Sequence, residues 1–66
     1  MTLTINGEER QCDDGTSVLA LLEALQLGPQ ATVVELNGDI LDRAGYADTT
    51  LANGDTLELV RLVGGG

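Results

Sequence analysis

Three consecutive glycines, Gly64, Gly65 and Gly66, close the sequence directly after an apolar segment. Ordering glycine costs more backbone entropy than ordering any other residue, and glycine brings no side chain to a core. These residues do form a thin lead to one reactive group, the carboxylate of Gly66. Three extended residues project about 10 Å from a fold, which is enough to carry that carboxylate into another protein's active site. The alternative is a frayed chain end, because termini are commonly disordered.

A carboxylate is a poor electrophile until its oxygen becomes a good leaving group. Joining the Gly66 carboxylate to AMP creates an acyl phosphate, from which a sulfur nucleophile can displace AMP and leave a thiocarboxylate. Branched side chains beside the reacting carbon would obstruct both reagents, whereas glycine does not. The groups that stabilise the oxyanion of this reaction would belong to a partner protein.

The sequence offers few other combinations of side chains that could catalyse a reaction. The chain has no His and no Lys, so a Ser or Cys nucleophile lacks an evident base. Asp13 and Asp14 are adjacent, but we interpret them as turn residues. Their negative charges would interact favourably with the positive end of the following helix dipole. Asp39 and Asp42 are interpreted as parts of a solvated loop. Cys12 is the only cysteine, which excludes an internal disulfide and favours a role as a small apolar core residue.

Composition narrows the classes of partner and cofactor. Eleven acidic residues against three arginines give a net charge of −8. Such a chain is a poor match for nucleic acid or for anionic membranes, and its charge favours a basic protein partner. There is neither a cysteine–histidine metal set nor a calcium-loop spacing, so we expect no bound cofactor.

The length of 66 residues predicts one small domain with a small core. The first residues lack the basic start and long apolar stretch of a signal peptide. No apolar run approaches the length of a membrane span. We therefore expect a cytoplasmic protein.

Alternation of apolar and polar residues predicts the strands, and Asn-Gly pairs predict the turns between them. The predicted strands cover residues 2–6, 8–12, 32–37 and 56–63, with a brief edge strand at Thr50-Leu51. Residues 39–50 are otherwise predicted to be irregular, with Ile40, Leu41 and Tyr46 anchored on the core.

One helix is predicted over residues 18–27. Thr16 or Ser17 can cap its first turn, because either hydroxyl can accept a hydrogen bond from a free backbone amide. Val18, Leu21, Leu22 and Leu25 form its apolar stripe. Gly28-Pro29 is predicted to end the helix, with the glycine in a left-handed conformation.

A single helix can cover only one face of a sheet. The predicted fold is therefore α+β, a β-grasp (ubiquitin-like) roll with a mixed sheet of four to five strands packed on one main helix. We assign residues 1–63 to this domain and residues 64–66 to a flexible tail.

The sequence resembles the ThiS family of ubiquitin-like sulfur carriers of thiamine biosynthesis. The likeness lies in the opening strand with Asn6-Gly7, the helix entry at residues 14–18, the segments at residues 34–38 and 51–59, and the final Gly65-Gly66. It implies that Gly66 is adenylated by a ThiF-type enzyme that consumes ATP, with Gly64 and Gly65 as the tail that reaches it. It also implies a sulfur-donor protein and a thiazole synthase as further partners.

The last strand suggests where a partner docks. Leu57 and Leu59 should face the helix, which leaves Val60 and Leu62 on the outer face near the tail. Apolar side chains without a role in the core favour a docking patch for the activating enzyme. The alternative is a bulge that turns one of them inward.

Two other functions stay open at this point. The molybdopterin synthase small subunit resembles this family in fold and tail, although that subunit is usually longer and richer in aromatic residues. A non-covalent β-grasp interaction module with an incidental glycine tail is the second alternative.

Overall fold

The computed structural model describes residues 1–62. Its elements follow the order of two strands, one helix and three further strands. These are β1 (Thr2–Ile5), β2 (Glu8–Gln11), α1 (Val18–Ala24), β3 (Thr32–Leu36), β4 (Asp39–Leu41) and β5 (Thr56–Arg61), with short 3-10 helices at Pro29–Ala31 and Arg43–Gly45.

The five strands form one mixed sheet in the order β2-β1-β5-β3-β4. β5 lies in the middle, parallel to β1 and antiparallel to β3. The helix packs on one face of this sheet through its buried Val18, Leu21 and Leu22. This confirms the predicted α+β class and the β-grasp arrangement.

The core is aliphatic apart from Tyr46 and lies between the helix and the inner face of the sheet. Its fully buried members include Leu3 on β1, Leu22 on α1, Val34 on β3 and Leu57 on β5. Each comes from a different element, so the core joins the first and last strands to the helix. Removing such apolar side chains from water stabilises the fold by about 25 cal/mol per Å².

Two of the predicted turns have the backbone that their sequence requires. Asn6 and Gly7 have φ of 50° and 82°, and Asn37 and Gly38 have φ of 51° and 90°. Two consecutive positive φ angles define the type I′ turn, whose twist matches that of the strands it joins.

The helix is shorter than predicted. It ends at Ala24 rather than Leu27, and Gln26 rather than Gly28 takes the left-handed conformation, with φ of 59°. The Leu27 amide donates to the Leu22 carbonyl at 2.8 Å and the Gln26 amide to the Glu23 carbonyl at 3.0 Å. These two bonds are those of a Schellman motif, which closes the helix by satisfying its last carbonyls.

The segment after β3 corrects three sequence predictions. Residues 39–41 are not irregular, because they pair with β3 as the edge strand β4, and Ile40 is 75% exposed instead of anchored on the core. Thr50 forms only an isolated bridge to Ser17. The edge strand therefore comes from residues that follow directly from the Asn37-Gly38 hairpin, where pairing is local.

Tyr46 and Cys12 agree with their predicted roles. Tyr46 is buried, and its hydroxyl donates to the Thr32 carbonyl at 2.7 Å. Cys12 follows the end of β2 at Gln11, is half-buried and packs against the core. Tyr46 therefore belongs to the core, and Cys12 packs at its edge.

Candidate functional site

β5 is the strand that leads to the glycines. Leu57 and Leu59 are buried while Glu58 and Val60 are exposed, which confirms the predicted alternation. After the strand, the Leu62 amide donates to the Ala31 carbonyl at 2.7 Å. The path of the chain is therefore held by neighbouring backbone as far as Leu62.

The residues predicted to be modified, or to form the tail, lie outside the described part of the chain. These are Gly64, Gly65 and Gly66, and Val63 lies outside it as well. Their assignments, and the boundary at residue 63, stay predictions.

A side chain that sequence reasoning placed only in a turn supports the end of β5. The Leu59 amide donates to Asn6 Oδ1 at 2.8 Å, and Asn6 Nδ2 donates to the Leu59 carbonyl at 3.3 Å. The register of the parallel strands β1 and β5 ends at the pair of Ile5 and Leu57, two residues before Leu59. Asn6 thus supplies the hydrogen bonds that a further residue of β1 would have made.

The predicted docking residues are exposed on the outer face of the sheet. Val60 is 56% exposed and Leu62 is 50% exposed. Val33 lies directly opposite Val60 on β3, and Ile40 on β4 is paired with Glu35 of the same face. We call Val33, Ile40, Val60 and Leu62 the outer-face patch.

Sequence reasoning missed the Val33 and Ile40 part of this patch. The sequence predicts Ile40 to be anchored on the core together with Leu41 and Tyr46, and this prediction is wrong for Ile40. The signal that identifies it is its place two residues after Gly38 in a hairpin. Register with β3 then determines which side of the sheet it faces.

Asp13, Asp14 and Asp42 lie in the predicted turn and loop, whereas Asp39 begins the strand β4 and does not belong to a loop. The Asp14 carboxylate lies 3.3 Å from the N-terminal ammonium of Met1. The Asp13 carbonyl accepts from the Thr16 hydroxyl at 2.7 Å, and Asp42 caps a 3-10 turn by accepting from the Ala44 amide at 3.4 Å. These contacts fit the predicted turn and loop roles. Within residues 1–62, no three His, Cys, Asp or Glu side chains come together as a metal-binding group.

Two shallow grooves flank the hairpin of β1 and β2. One, of about 320 Å³, is lined by Cys12, Asp13 and Thr16 together with Gln11 and Ala24. The other, of about 230 Å³, lies under Arg10 and Glu8 against the end of the helix.

In the described part of the chain, no helix is both long enough and apolar enough to span a membrane.

Comparison with known proteins identifies relatives of this fold. The model of the ThiS family matches residues 3–66 of this chain. A crystal structure of a thiamine biosynthesis protein (ThiS) from Geobacter metallireducens has a TM-score of 0.84 and 38% identity, with 100% of both chains covered. The NMR structure of a thiamine biosynthesis protein from the same organism has a TM-score of 0.81 over 100% of this chain and 88% of that one.

Curated sequences include proteins of similar and of much greater length. The chain is 32% identical to the sulfur carrier protein ThiS of Bacillus subtilis, over 97% of this chain and 98% of that protein. It is also 41% identical, over its whole length, to a thiazole synthase from Paramagnetospirillum magneticum, but it spans only 20% of that protein. A thiazole synthase from Magnetococcus marinus gives the same 20% share at 33% identity. The family match over nearly the whole sequence, and the shared fold, show that this chain belongs to the ThiS family.

Proposed function

We propose that this protein is a sulfur carrier of thiamine biosynthesis that carries sulfur as a thiocarboxylate on Gly66. Membership of the ThiS family supports the proposal, as does the likeness to a full-length relative named as a sulfur carrier protein. The structural observation that carries it is the position of β5. This strand is central in the sheet, and a backbone hydrogen bond holds the chain directly after it at Leu62, four residues before Gly66.

The proposed chemistry takes place at the Gly66 carboxylate. One carboxylate oxygen attacks the α-phosphorus of ATP, and pyrophosphate leaves. A hydrosulfide ion that a donor protein has released then attacks the acyl carbon, AMP leaves with the oxygen that it acquired, and loss of the remaining S–H proton gives the thiocarboxylate. A carbon–sulfur bond has replaced a carbon–oxygen bond, and the energy for this exchange comes from ATP.

In this proposal the chain is a protein co-substrate and not a catalyst. A ThiF-type adenylating enzyme binds the ATP and provides the groups that stabilise the oxyanion. Gly64 and Gly65 give the carboxylate access to that enzyme without obstructing side chains. The chain itself binds no cofactor, and we place it in the cytoplasm with its partners.

The proposed acceptor of the sulfur is a thiazole synthase. Two proteins of that name contain a segment similar to the whole of this chain. A carrier and the enzyme that uses its sulfur must bring the thiocarboxylate and the acceptor substrate together. Similarity of the carrier to part of the synthase is consistent with that need.

Val60 and Leu62 are proposed to contact the adenylating enzyme. Both are about half exposed, and neither contributes to the buried core. Their place at the end of β5 would put such a contact close to Gly64, where the predicted tail begins.

Mass spectrometry of the intact protein tests the proposed function. The chain is incubated with the adenylating enzyme from the same genome, ATP and a sulfur source. We expect a mass gain equal to the replacement of one oxygen by sulfur, and fragmentation should place that gain on Gly66.

A chain that lacks Gly66 is the matched control. It should show the same unfolding curve as the full sequence and no mass gain. The proposal is wrong if the full sequence stays unmodified while the enzyme modifies a known carrier, or if the shortened chain is modified equally well.

A further inference from the structure

The strand β2 forms an open edge of the sheet, at the opposite end from β4. It is the first strand in the order β2-β1-β5-β3-β4, so it pairs on one side only. All four of its residues are exposed. An edge strand of this kind presents backbone donors and acceptors to which another extended chain can bind.

The ladder with β1 determines which backbone groups of β2 are free. Just before β1, Met1 exchanges two hydrogen bonds with Cys12: its ammonium donates to the Cys12 carbonyl at 2.7 Å, and the Cys12 amide donates to the Met1 carbonyl at 2.9 Å. In an antiparallel pair this exchange recurs at every second position. Arg10 and Glu8 therefore bond to β1, whereas the N–H and C=O groups of Glu9 and Gln11 point away from the sheet.

The other side of β1 confirms this alternation. The Thr4 amide donates to the Asp55 carbonyl at 3.0 Å, towards β5 and away from β2. Thr4 is the register partner of Glu9. Glu9 thus has no backbone partner on β1, and its amide and carbonyl are available to an added strand.

The two grooves that flank the hairpin lie end to end between β2 and the helix. At the start of β2, Glu8 and Arg10 border the groove of about 230 Å³. At its end, Cys12 lies across the groove of about 320 Å³ from Ala24. We call the two together the edge groove, and its apolar lining consists of Ile5, Ala24, Leu25, Leu27 and Leu59.

The side chains of β2 indicate the pattern of a strand that fits. Arg10 is opposite the buried Leu3, on the helix side, and Glu9 is opposite Thr4, on the outer side. Opposite residues of two paired strands share a face of the sheet. In an added strand, the residue opposite Arg10 would therefore face the edge groove, and the residue opposite Glu9 would lie on the outer side beside its carboxylate.

The charge of this edge is negative. Glu8, Glu9 and Asp13 lie on or next to β2, against the single cation Arg10. Within residues 1–62, the one salt bridge joins Met1 to Asp14 and leaves these three carboxylates out. Basic side chains on a bound strand would complement them.

We propose that the edge groove, with the open backbone of β2, binds an extended segment of a partner protein in which apolar and basic residues alternate. The backbone groups of Glu9 and Gln11 pair with this segment, as in other cases of strand addition to a sheet. Its apolar side chains fill the edge groove, and its lysine or arginine side chains lie beside Glu9.

A second copy of the chain does not fit this edge. Two copies of β2 paired antiparallel about its centre must use their outward backbone groups, which places either Glu9 opposite Glu9 or Arg10 opposite Arg10. Like charges directly opposite each other destabilise a sheet. The charges that keep the edge from pairing with itself are thus those that attract a basic segment.

A segment bound at β2 would leave the end of β5 accessible. β1 lies between β2 and β5 in the sheet, and Val60 and Leu62 line neither part of the edge groove. The partner can therefore stay on this protein while Gly66 is in the adenylating enzyme. This consequence, unlike the edge groove itself, rests on the proposed function.

Nuclear magnetic resonance of the labelled protein tests the site, with a blocked eight-residue peptide of alternating valine and lysine as the probe. In the free protein, the Glu9 and Gln11 amides should exchange with solvent faster than the Arg10 amide, because only Arg10 bonds to β1. The peptide should slow the exchange of Glu9 and Gln11 and shift their resonances in a saturable way. A peptide of alternating valine and glutamate is the control and should cause neither change.

Glu9→Pro removes one outward N–H of β2. Proline is tolerated on an edge strand where its missing N–H would face solvent, and thermal unfolding verifies that the variant folds. We expect it to bind the peptide at least about fivefold more weakly than Glu9→Gln does, because a backbone hydrogen bond is lost. Glu9→Gln removes the charge alone and should weaken binding about 2–5-fold at low salt.

Ala24→Leu tests the edge groove without altering β2. Ala24 is exposed on the helix and leucine is a good helix former, so the variant should fold and should bind the peptide more than about fivefold more weakly, as expected when a packed site is overfilled. Ala47→Leu is the matched control, because Ala47 is exposed and lines neither part of the groove.

The proposal is overturned if the wild type does not bind the valine–lysine peptide, or if Ala24→Leu and Glu9→Pro bind it as the wild type does. Equal weakening by Ala47→Leu would overturn it as well. A saturating amount of peptide should leave the rate of pyrophosphate release by the adenylating enzyme unchanged, and inhibition would show that the two surfaces are not independent. If the peptide binds as expected but Gly66 is never activated, the sulfur-carrier proposal fails and the edge groove stands.

Discussion

The side-chain amide of Asn6 pairs with the backbone of Leu59 through both of its polar atoms. Asn6 Oδ1 accepts from the Leu59 amide at 2.8 Å, and Asn6 Nδ2 donates to the Leu59 carbonyl at 3.3 Å. A turn residue thus continues the parallel ladder of the sheet after β1 has ended. The last part of β5 is held on this side by a side chain and on the other by β3.

Loss of this amide should destabilise the protein. We expect Asn6→Gly to lower the free energy of unfolding by about 1–2 kcal/mol, because two hydrogen bonds to the backbone disappear. Glycine accepts the positive φ of residue 6 without strain, so the loss combines the missing amide with the greater freedom of glycine in the unfolded chain. Urea denaturation followed by circular dichroism provides the measurement. Asn6→Ala should lose more, since alanine is also strained at that φ. A glycine variant as stable as the wild type would contradict this role.

The hydroxyl of Tyr46 should contribute to stability. It is buried and donates to the Thr32 carbonyl at 2.7 Å. Tyr46→Phe keeps the ring but leaves that carbonyl without its donor, so we expect a loss of about 1–3 kcal/mol in the free energy of unfolding. Chemical denaturation measures this. Equal midpoints for the two proteins would show that water replaces the hydroxyl at no cost.

Replacement of Gln26 by glycine should stabilise the helix end. Gln26 has φ of 59°, a conformation that costs a residue with a Cβ about 1–2 kcal/mol. Part of that gain is lost to the greater freedom of glycine in the unfolded chain, so we expect a net increase of about 0.5–1 kcal/mol. The midpoint of thermal unfolding should rise.

Glu23→Gly is the control for that substitution. Residue 23 lies within the regular helix, where glycine costs about 1 kcal/mol relative to alanine. The two glycine variants should therefore differ in sign. A lower midpoint for Gln26→Gly would show that the left-handed residue is not strained.

Ser17 and Thr16 should differ in their effect on the helix. The sequence left both as candidate caps, and the structure selects Ser17, whose hydroxyl accepts from the Ala20 amide at 3.1 Å. Ser17→Ala should cost about 1 kcal/mol of unfolding free energy. Thr16→Ala removes only a hydrogen bond from the Thr16 hydroxyl to the Asp13 carbonyl in an exposed turn and should cost less. The reverse order, measured by urea denaturation, would refute the assignment of the cap.

Bulk next to Gly66 should impair activation. Gly65→Val places a branched side chain beside the reacting carboxylate, so we expect kcat/KM for adenylation to fall by more than about tenfold. The measurement is the rate of pyrophosphate release. Met1→Leu, a change remote from the tail in sequence, serves as the control. A Gly65→Val protein activated at the wild-type rate would mean that the enzyme does not need a narrow tail.

Hairpin and helix signals were sufficient to predict most of the fold. Asn-Gly pairs require two positive φ angles in succession, and alternation at Leu3 and Ile5 or at Leu57 and Leu59 requires one buried face. These are local constraints, so neighbouring residues determine them. Three consecutive residues without side chains likewise indicated the candidate tail. Residues 64–66 lie outside the described part of the chain.

Only the tertiary structure determined the features that depend on long-range register. Ile40 looks like a core residue in the sequence, but pairing with Glu35 turns it to the outer face. Asn6 reaches Leu59 across 53 positions of sequence, and Glu35 meets Glu58 only because β3 and β5 are neighbours. Local sequence specifies which segments become strands, while the choice of neighbour is made by packing of the whole sheet against one helix. That choice brings Val33 of β3 beside Val60 of β5, the strand that leads to the tail.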